Sequence, residues 1–148
     1  MLSVGDTAPD FEGVDQNGRR VALSDLLRDG GVVLYFYPKD FTPVCTAQAC
    51  TFRDAHAELA TEGVQVVGVS ADDTATHAQF AEKHHVPYSL LSDPDQRIQK
   101  AYEARQVFGF FPKRVTYVID RTKKIRGVFH HELSAGKHLE AVRKILKG

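Results

Sequence analysis

Val32-Val33-Leu34-Tyr35-Phe36-Tyr37-Pro38-Lys39-Asp40-Phe41-Thr42-Pro43-Val44-Cys45-Thr46-Ala47-Gln48-Ala49-Cys50 contains a strand, a stop and a helix start in one continuous stretch. The unbroken apolar run Val32 to Tyr37 reads as a strand covered on both faces. Pro38 ends it, because proline brings no amide to a sheet ladder. Thr42-Pro43 then signals a helix start: a hydroxyl can accept from the free amides of a first turn, and proline loses no hydrogen bond there. Ala49, Phe52, Ala55, Ala57, Leu59 and Ala60 continue at near-helical spacing to Glu62, and Gly63 stands where a C-terminal cap belongs. A second buried strand follows over Val64 to Val69.

On the N-terminal side, Phe11–Val14 and Arg20–Leu23 flank Asn17-Gly18 and predict a small hairpin with a tight turn. Ser24 is placed to cap a short helix through Leu27. On the C-terminal side, Thr74–His84 reads as a helix, Tyr88–Leu91 as a brief strand, and Asp93-Pro94 as the cap and first position of a helix reaching Tyr102. Val115–Ile119 and Ile125–Phe129 form a hairpin across a polar turn, and a last helix runs from about His138 to Leu146. Arg143, Lys144 and Lys147 suit the negative end of that helix. The order predicts an α/β fold with a central mixed β-sheet and helices on both faces.

The chain has 148 residues, 43% of them apolar, and the pattern offers no linker, so residues 1–148 are expected to form a single domain. Lys plus Arg and Asp plus Glu both number 19, which leaves no net field to attract nucleic acid or an anionic membrane. MLSVGDTAPDF lacks the basic and apolar regions of a secretion signal, and no apolar run reaches the roughly 20 residues of a membrane span. A cytoplasmic protein is expected. Two cysteines are too few for a disulfide framework, and in a reducing compartment such a pair is more often reactive or metal-bound than structural.

Cys45 falls in the first turn of the expected helix, where unpaired amides and the positive end of the dipole favour a thiolate. Ionisation alone contributes roughly 2 kcal/mol of barrier, so a fast reaction at this sulfur also needs donors aimed at a departing oxygen. Thr42 and the early helix amides are suited to that. Cys50 lies five positions on. In an intact helix the two α-carbons would stand about 8.6 Å apart on nearly opposite faces, beyond the roughly 7 Å limit for a disulfide. A disulfide between them therefore requires this helix start to unwind. The other reading of Cys50 is a small buried hydrophobe.

Pro38, Thr42 and Cys45, in that order and spacing, resemble the signature of the peroxiredoxins. The stretch is similar in detail to the bacterioferritin-comigratory or PrxQ subgroup, whose members often carry a second cysteine five residues after the first, as Cys50 is here. The resemblance extends over essentially the whole chain, through Gly5–Phe11, Phe52-Arg53-Asp54, Val67–Ser70, Leu91-Ser92-Asp93 and Arg114–Asp120. It implies a thioredoxin fold with an N-terminal β-hairpin extension and a thiol-dependent peroxidase acting on hydrogen peroxide and organic hydroperoxides. It further implies that Pro38 shields the site, while Thr42, the Cys45 amide and Arg114 hold the peroxide. Cys45 would become a sulfenic acid, condense with Cys50, and be recycled by thioredoxin or a similar dithiol protein. No cofactor or metal is implied, over-oxidation of Cys45 to a sulfinic acid is expected, and a monomer or weak homodimer is expected.

Two departures stand out: Val44 occupies a common glycine position, and Phe41 replaces a more usual polar residue, both narrowing the entrance. The segment Glu103–Lys113 carries Phe108, Phe110 and Phe111, which suit an apolar collar, a dimer contact or ordinary core filling. The adjacent pairs His84-His85 and His130-His131 point to different faces and make poor metal sites. A zinc site on Cys45, Cys50 and histidine fits badly with the Thr-Pro cap. Asp72-Asp73 suit helix capping better than acid-base work. Two rival functions remain: a protein dithiol oxidoreductase, disfavoured by the missing Cys-x-x-Cys pair, and a peroxide-sensing redox relay using the same cysteines.

Overall fold

The structure, a computed structural model, describes residues 1–105 and 112–148. Phe108, Phe110 and Phe111 lie outside the described residues. Seven strands, β1 (Glu12–Val14), β2 (Arg20–Ala22), β3 (Gly31–Phe36), β4 (Val64–Ser70), β5 (Ser89–Ser92), β6 (Val115–Ile119) and β7 (Ile125–His130), form one sheet in the order β2-β1-β5-β4-β3-β6-β7. β3 pairs parallel with β4, and β4 with β5, while β6 runs antiparallel to β3 and the β1–β2 hairpin antiparallel to β5. The mixed sheet and the N-terminal hairpin are as the sequence pattern implies.

β3 is buried along its whole length because both of its faces are covered. Val33 and Tyr35 point to one side, into a core closed by Phe52 and Leu59 of α2 (Pro43–Thr61), Phe80 of α3 (Thr74–His84) and Val142 of α5 (Ala135–Lys147). Leu34 and Phe36 point to the other, where Leu23 of α1 (Leu23–Leu26) and Ile98 of α4 (Arg97–Ala101) complete a second core. The period-two alternation of the strand thus builds both layers. Phe52 is fully buried and stacks on Tyr35 at 5.1 Å between ring centroids; truncating it to alanine would cost about 3–5 kcal/mol.

Four local expectations are corrected. Among Asn17 and Gly18 only Gly18 takes a positive φ (77°), because the turn is a wider loop closed by Asp15, whose carboxylate accepts from the amides of Asn17 and Arg19. Ser24 does not cap α1, which starts one residue earlier at Leu23 with Ala22 before it. Pro94 sits in a turn and α4 begins at Arg97; Asp93 still anchors it, reaching past the turn to the amides of Ile98 and Gln99 at 3.0 and 2.9 Å. α5 begins three residues before the expected His138, at Ala135, because Ser134 supplies the cap by accepting from Lys137. Asp73 caps α3 as expected, and Gly63 closes α2 at φ 77°.

Candidate active site

β3 hands the chain to α2 across Tyr37–Thr42. Thr42 is the N-cap in extended conformation and Pro43 the first helical residue, so Cys45 stands third in the helix, where the amide has no carbonyl one turn back. The Thr42 hydroxyl does not cap: it donates to the Lys39 carbonyl at 2.8 Å, fixing the loop instead. Cys45 is 1% exposed.

Register brings the partner of this sulfur. Phe36 at the end of β3 pairs with Val115 at the start of β6, which sets Arg114 beside the mouth of α2. Arg114 is buried, and each of its three side-chain nitrogens makes a hydrogen bond. Its Nη2 donates to Cys45 Sγ at 3.2 Å, its Nη1 to Gln48 Oε1 at 2.7 Å and its Nε to the Glu132 carbonyl at 3.0 Å. Its backbone amide donates to the Glu132 carboxylate at 3.0 Å. Around the guanidinium, the Gln48 amide oxygen and the Glu132 carbonyl are neutral acceptors, so Cys45 Sγ is the ionisable group among the three partners of the Arg114 side chain. Gln48 presents its amide nitrogen, buried and without a hydrogen-bond partner among the described residues, as a further donor at the site.

A buried network fixes the loop from below. Tyr37 donates to Asp40 Oδ1 at 2.6 Å, and Asp40 Oδ2 lies 2.5 Å from His77 Nδ1 on α3. His77 Nε2 faces the Leu91 carbonyl at 3.1 Å, an acceptor only, so that nitrogen is the donor. The Asp40 amide donates to Asp72, which also accepts from Ser70. Burial, then the Asp40 charge, pushes the Tyr37 hydroxyl well above the usual tyrosine range. Asp40, Asp72 and His77 gather three ligand-type atoms within 4.8 Å, and each is engaged in the hydrogen bonds just given.

Cys50 turns elsewhere. Half-buried, it lies outside the core that includes Cys45, and its Sγ is 4.0 Å from His84 Nδ1 at the end of α3. Both thiols are free and α2 is unbroken from Pro43 to Thr61. Phe41, at φ 66° and 44% exposed, lays its ring on Phe80 at 5.2 Å and His84 at 6.4 Å. The histidine pairs diverge: His84 faces Cys50, and His85 is the exposed left-handed cap of α3. His130 meets Glu132, and His131 Nδ1 accepts from Leu133 and Ser134.

Pro38, Thr42 and Cys45 thus lie on one strand-loop-helix turn, with Arg114 delivered from β6. Sequence reasoning did not single out Gln48, Asp40 or His77. Gln48 carries a weak signal, being one turn after Cys45 on the same face; the Asp40–His77 pair, 37 residues apart, carries none.

The chain belongs to the AhpC/TSA family, whose family profile matches residues 4–128. Among its relatives, chloroplastic peroxiredoxin Q of Arabidopsis thaliana is 42% identical over 147 residues, covering 99% of this chain and 68% of that protein. The crystal structure of peroxidoxin BcpB from Mycobacterium tuberculosis superposes with a TM-score of 0.93 at 39% identity, covering 99% and 97% of the two chains. Xylella fastidiosa PrxQ superposes at 0.89 with 25% identity, covering 98% and 96%. The fold is the thioredoxin-type fold of the peroxiredoxins, and the chain is a thiol-dependent peroxidase related to peroxiredoxin Q.

Proposed function

We propose that Cys45 is the attacking thiolate of this peroxidase, and the observation that carries the assignment is the 3.2 Å contact between Arg114 Nη2 and Cys45 Sγ in a buried helix start. The ionised sulfur attacks the nearer peroxide oxygen. An S–O bond forms, the O–O bond breaks, and the departing alkoxide or hydroxide takes a proton to leave as alcohol or water. Arg114, the free amides of the first turn and the Gln48 amide nitrogen supply preorganised donors for that developing charge. Thr42 gives its own proton to Lys39, so its oxygen is an acceptor for the substrate O–H. Pro38, half-buried at the end of the strand, screens the site from water.

The resulting Cys45 sulfenic acid condenses with Cys50 to a disulfide and water, after the first turns of α2 unwind. Thioredoxin or a similar dithiol protein then reduces the disulfide. We take residues 1–148 as one domain, monomeric or weakly dimeric, in the cytoplasm; reductive recycling needs a reducing compartment. Among the described residues no helix is long and apolar enough to cross a membrane.

Stopped-flow oxidation by hydrogen peroxide and by an organic hydroperoxide, with mass analysis of both cysteines, tests the scheme. Cys45→Ser should abolish consumption. Cys50→Ser should leave one oxidation and stop turnover. A Cys50→Ser protein that turns over at the native rate removes Cys50 from the mechanism, and stoichiometric oxidation without turnover favours a redox relay.

A further inference from the structure

We infer that His84 is the base that takes the thiol proton of Cys50 when Cys50 attacks the Cys45 sulfenic acid. The inference rests on the resolving role proposed above for Cys50. His84 Nδ1 lies 4.0 Å from Cys50 Sγ, within reach for a sulfur hydrogen bond. The ring is fixed for that purpose. Phe80 packs on it at 4.9 Å and Phe41 at 6.4 Å, while Arg53 of α2 donates to the His84 carbonyl at 2.7 Å and so ties the end of α3 to the turn after Cys50.

The surroundings favour a neutral imidazole. Burial is the largest influence, and the charges of Lys83, Arg53 and His85 add to it; together they hold His84 below the usual histidine range. The end of a helix pulls the other way. The groups facing His84 are Cys50 and Arg53 from α2, Phe41 from the loop, and Phe80, Lys83 and His85 from its own helix and cap. At neutral pH such an imidazole has a lone pair to accept with.

The step balances. The Cys50 S–H proton passes to Nδ1, the freed thiolate attacks Cys45 sulfur, the S–S bond forms and the S–O bond breaks. Hydroxide leaves and is protonated by the imidazolium through solvent, giving water and regenerating the base. Proton removal happens in the folded helix, before unwinding takes Cys50 from α3. Cys50 therefore sets out as a thiolate.

The test follows disulfide formation, the second phase of the peroxide reaction, as a function of pH in the full-length protein. In the native protein the rate should change little between pH 7 and 8.5. His84→Phe keeps a ring against Phe80 and Phe41 and removes the base. Its second phase should be slowed about tenfold or more at pH 6.5, rise about tenfold per pH unit as an unassisted thiol does, and approach the native rate near pH 8.5. Added imidazole should restore the second phase of His84→Ala. Parallel pH profiles for the native protein and His84→Phe overturn the assignment. If mass analysis finds no Cys45–Cys50 disulfide in the native protein, the resolving role of Cys50 fails first and the role of His84 with it.

Discussion

Arg114 Nη2 lies 3.2 Å from Cys45 Sγ, although 69 residues separate the two in the chain. The contact exists because β6 pairs antiparallel with β3 in a register that ends where the loop to α2 begins. A guanidinium held by Gln48, the Glu132 carbonyl and the sulfur uses its planar fork at three nitrogens, and a lysine cannot reproduce that.

Arg114→Lys should therefore lower kcat/KM for hydroperoxides by about 10²–10³, the usual effect of losing one preorganised donor to a developing oxyanion. The circular dichroism spectrum should stay native. A variant within threefold of the native rate in stopped-flow would remove Arg114 from the site.

Phe41 holds the helix start closed at some cost to its own backbone. A left-handed φ of 66° is unfavourable for a residue with a bulky side chain by about 1–2 kcal/mol. Contacts with Phe80, His84 and the ammonium of Lys83, 5.9 Å over the ring, offset it. Phe41→Ala keeps the backbone penalty and loses the contacts, so the first turns of α2 should open more readily. Disulfide formation should become several-fold faster and the sulfinic fraction of Cys45 at high peroxide should fall, read by mass spectrometry. An unchanged sulfinic fraction would show that Phe41 has no part in the unwinding.

The segment from β3 through α2 was legible because its signals are local: an unbroken apolar run, a proline stop, a Thr-Pro start and a glycine end. The cysteines were legible for the same reason. Arg114 was reached through the family resemblance alone, since an arginine ahead of a strand has no local signature and its position depends on the β3–β6 register. Thr42 was legible as the cap position and misread as the capping group, because the competing Lys39 carbonyl is part of a loop geometry that spacing does not encode. Asp40 and His77 meet only after α3 packs on the loop, and His84 was weighed as a metal ligand because a pair of histidines says nothing of the sulfur one helix away.

The Asp40–His77 pair should be a stability determinant more than a source of chemistry. Both side chains are fully buried, and Asp40 also receives the Tyr37 hydroxyl. Asp40→Asn removes the charge and puts an amide NH2 where one of the two accepting oxygens faces Tyr37 or His77, and should destabilise the fold by about 3–5 kcal/mol, as breaking a buried pair does. Urea unfolding measures this. A change below about 1 kcal/mol would mean that the loop is held by Asp72 and Thr42 without it.

His138 makes stability fall in acid. It is fully buried on α5, and its Nε2 donates to the His131 carbonyl at 2.7 Å, so Nδ1 is the acceptor for Thr116 Oγ1 at 2.8 Å. Burial, with help from the Arg114 charge and against the pull of the His131 carbonyl, lowers its pKa from 6.5 to about 4. Between those values the unfolded chain takes up a proton that the folded chain refuses. The contribution is thus fully present above pH 6.5, is lost as pH falls toward 4, and amounts to about 3 kcal/mol at most. His138→Gln keeps a donor and an acceptor without the titration. Urea midpoints measured from pH 7 to pH 4 should fall more steeply for the native protein than for the variant. Parallel midpoint curves for the two proteins would assign the acid loss to other groups.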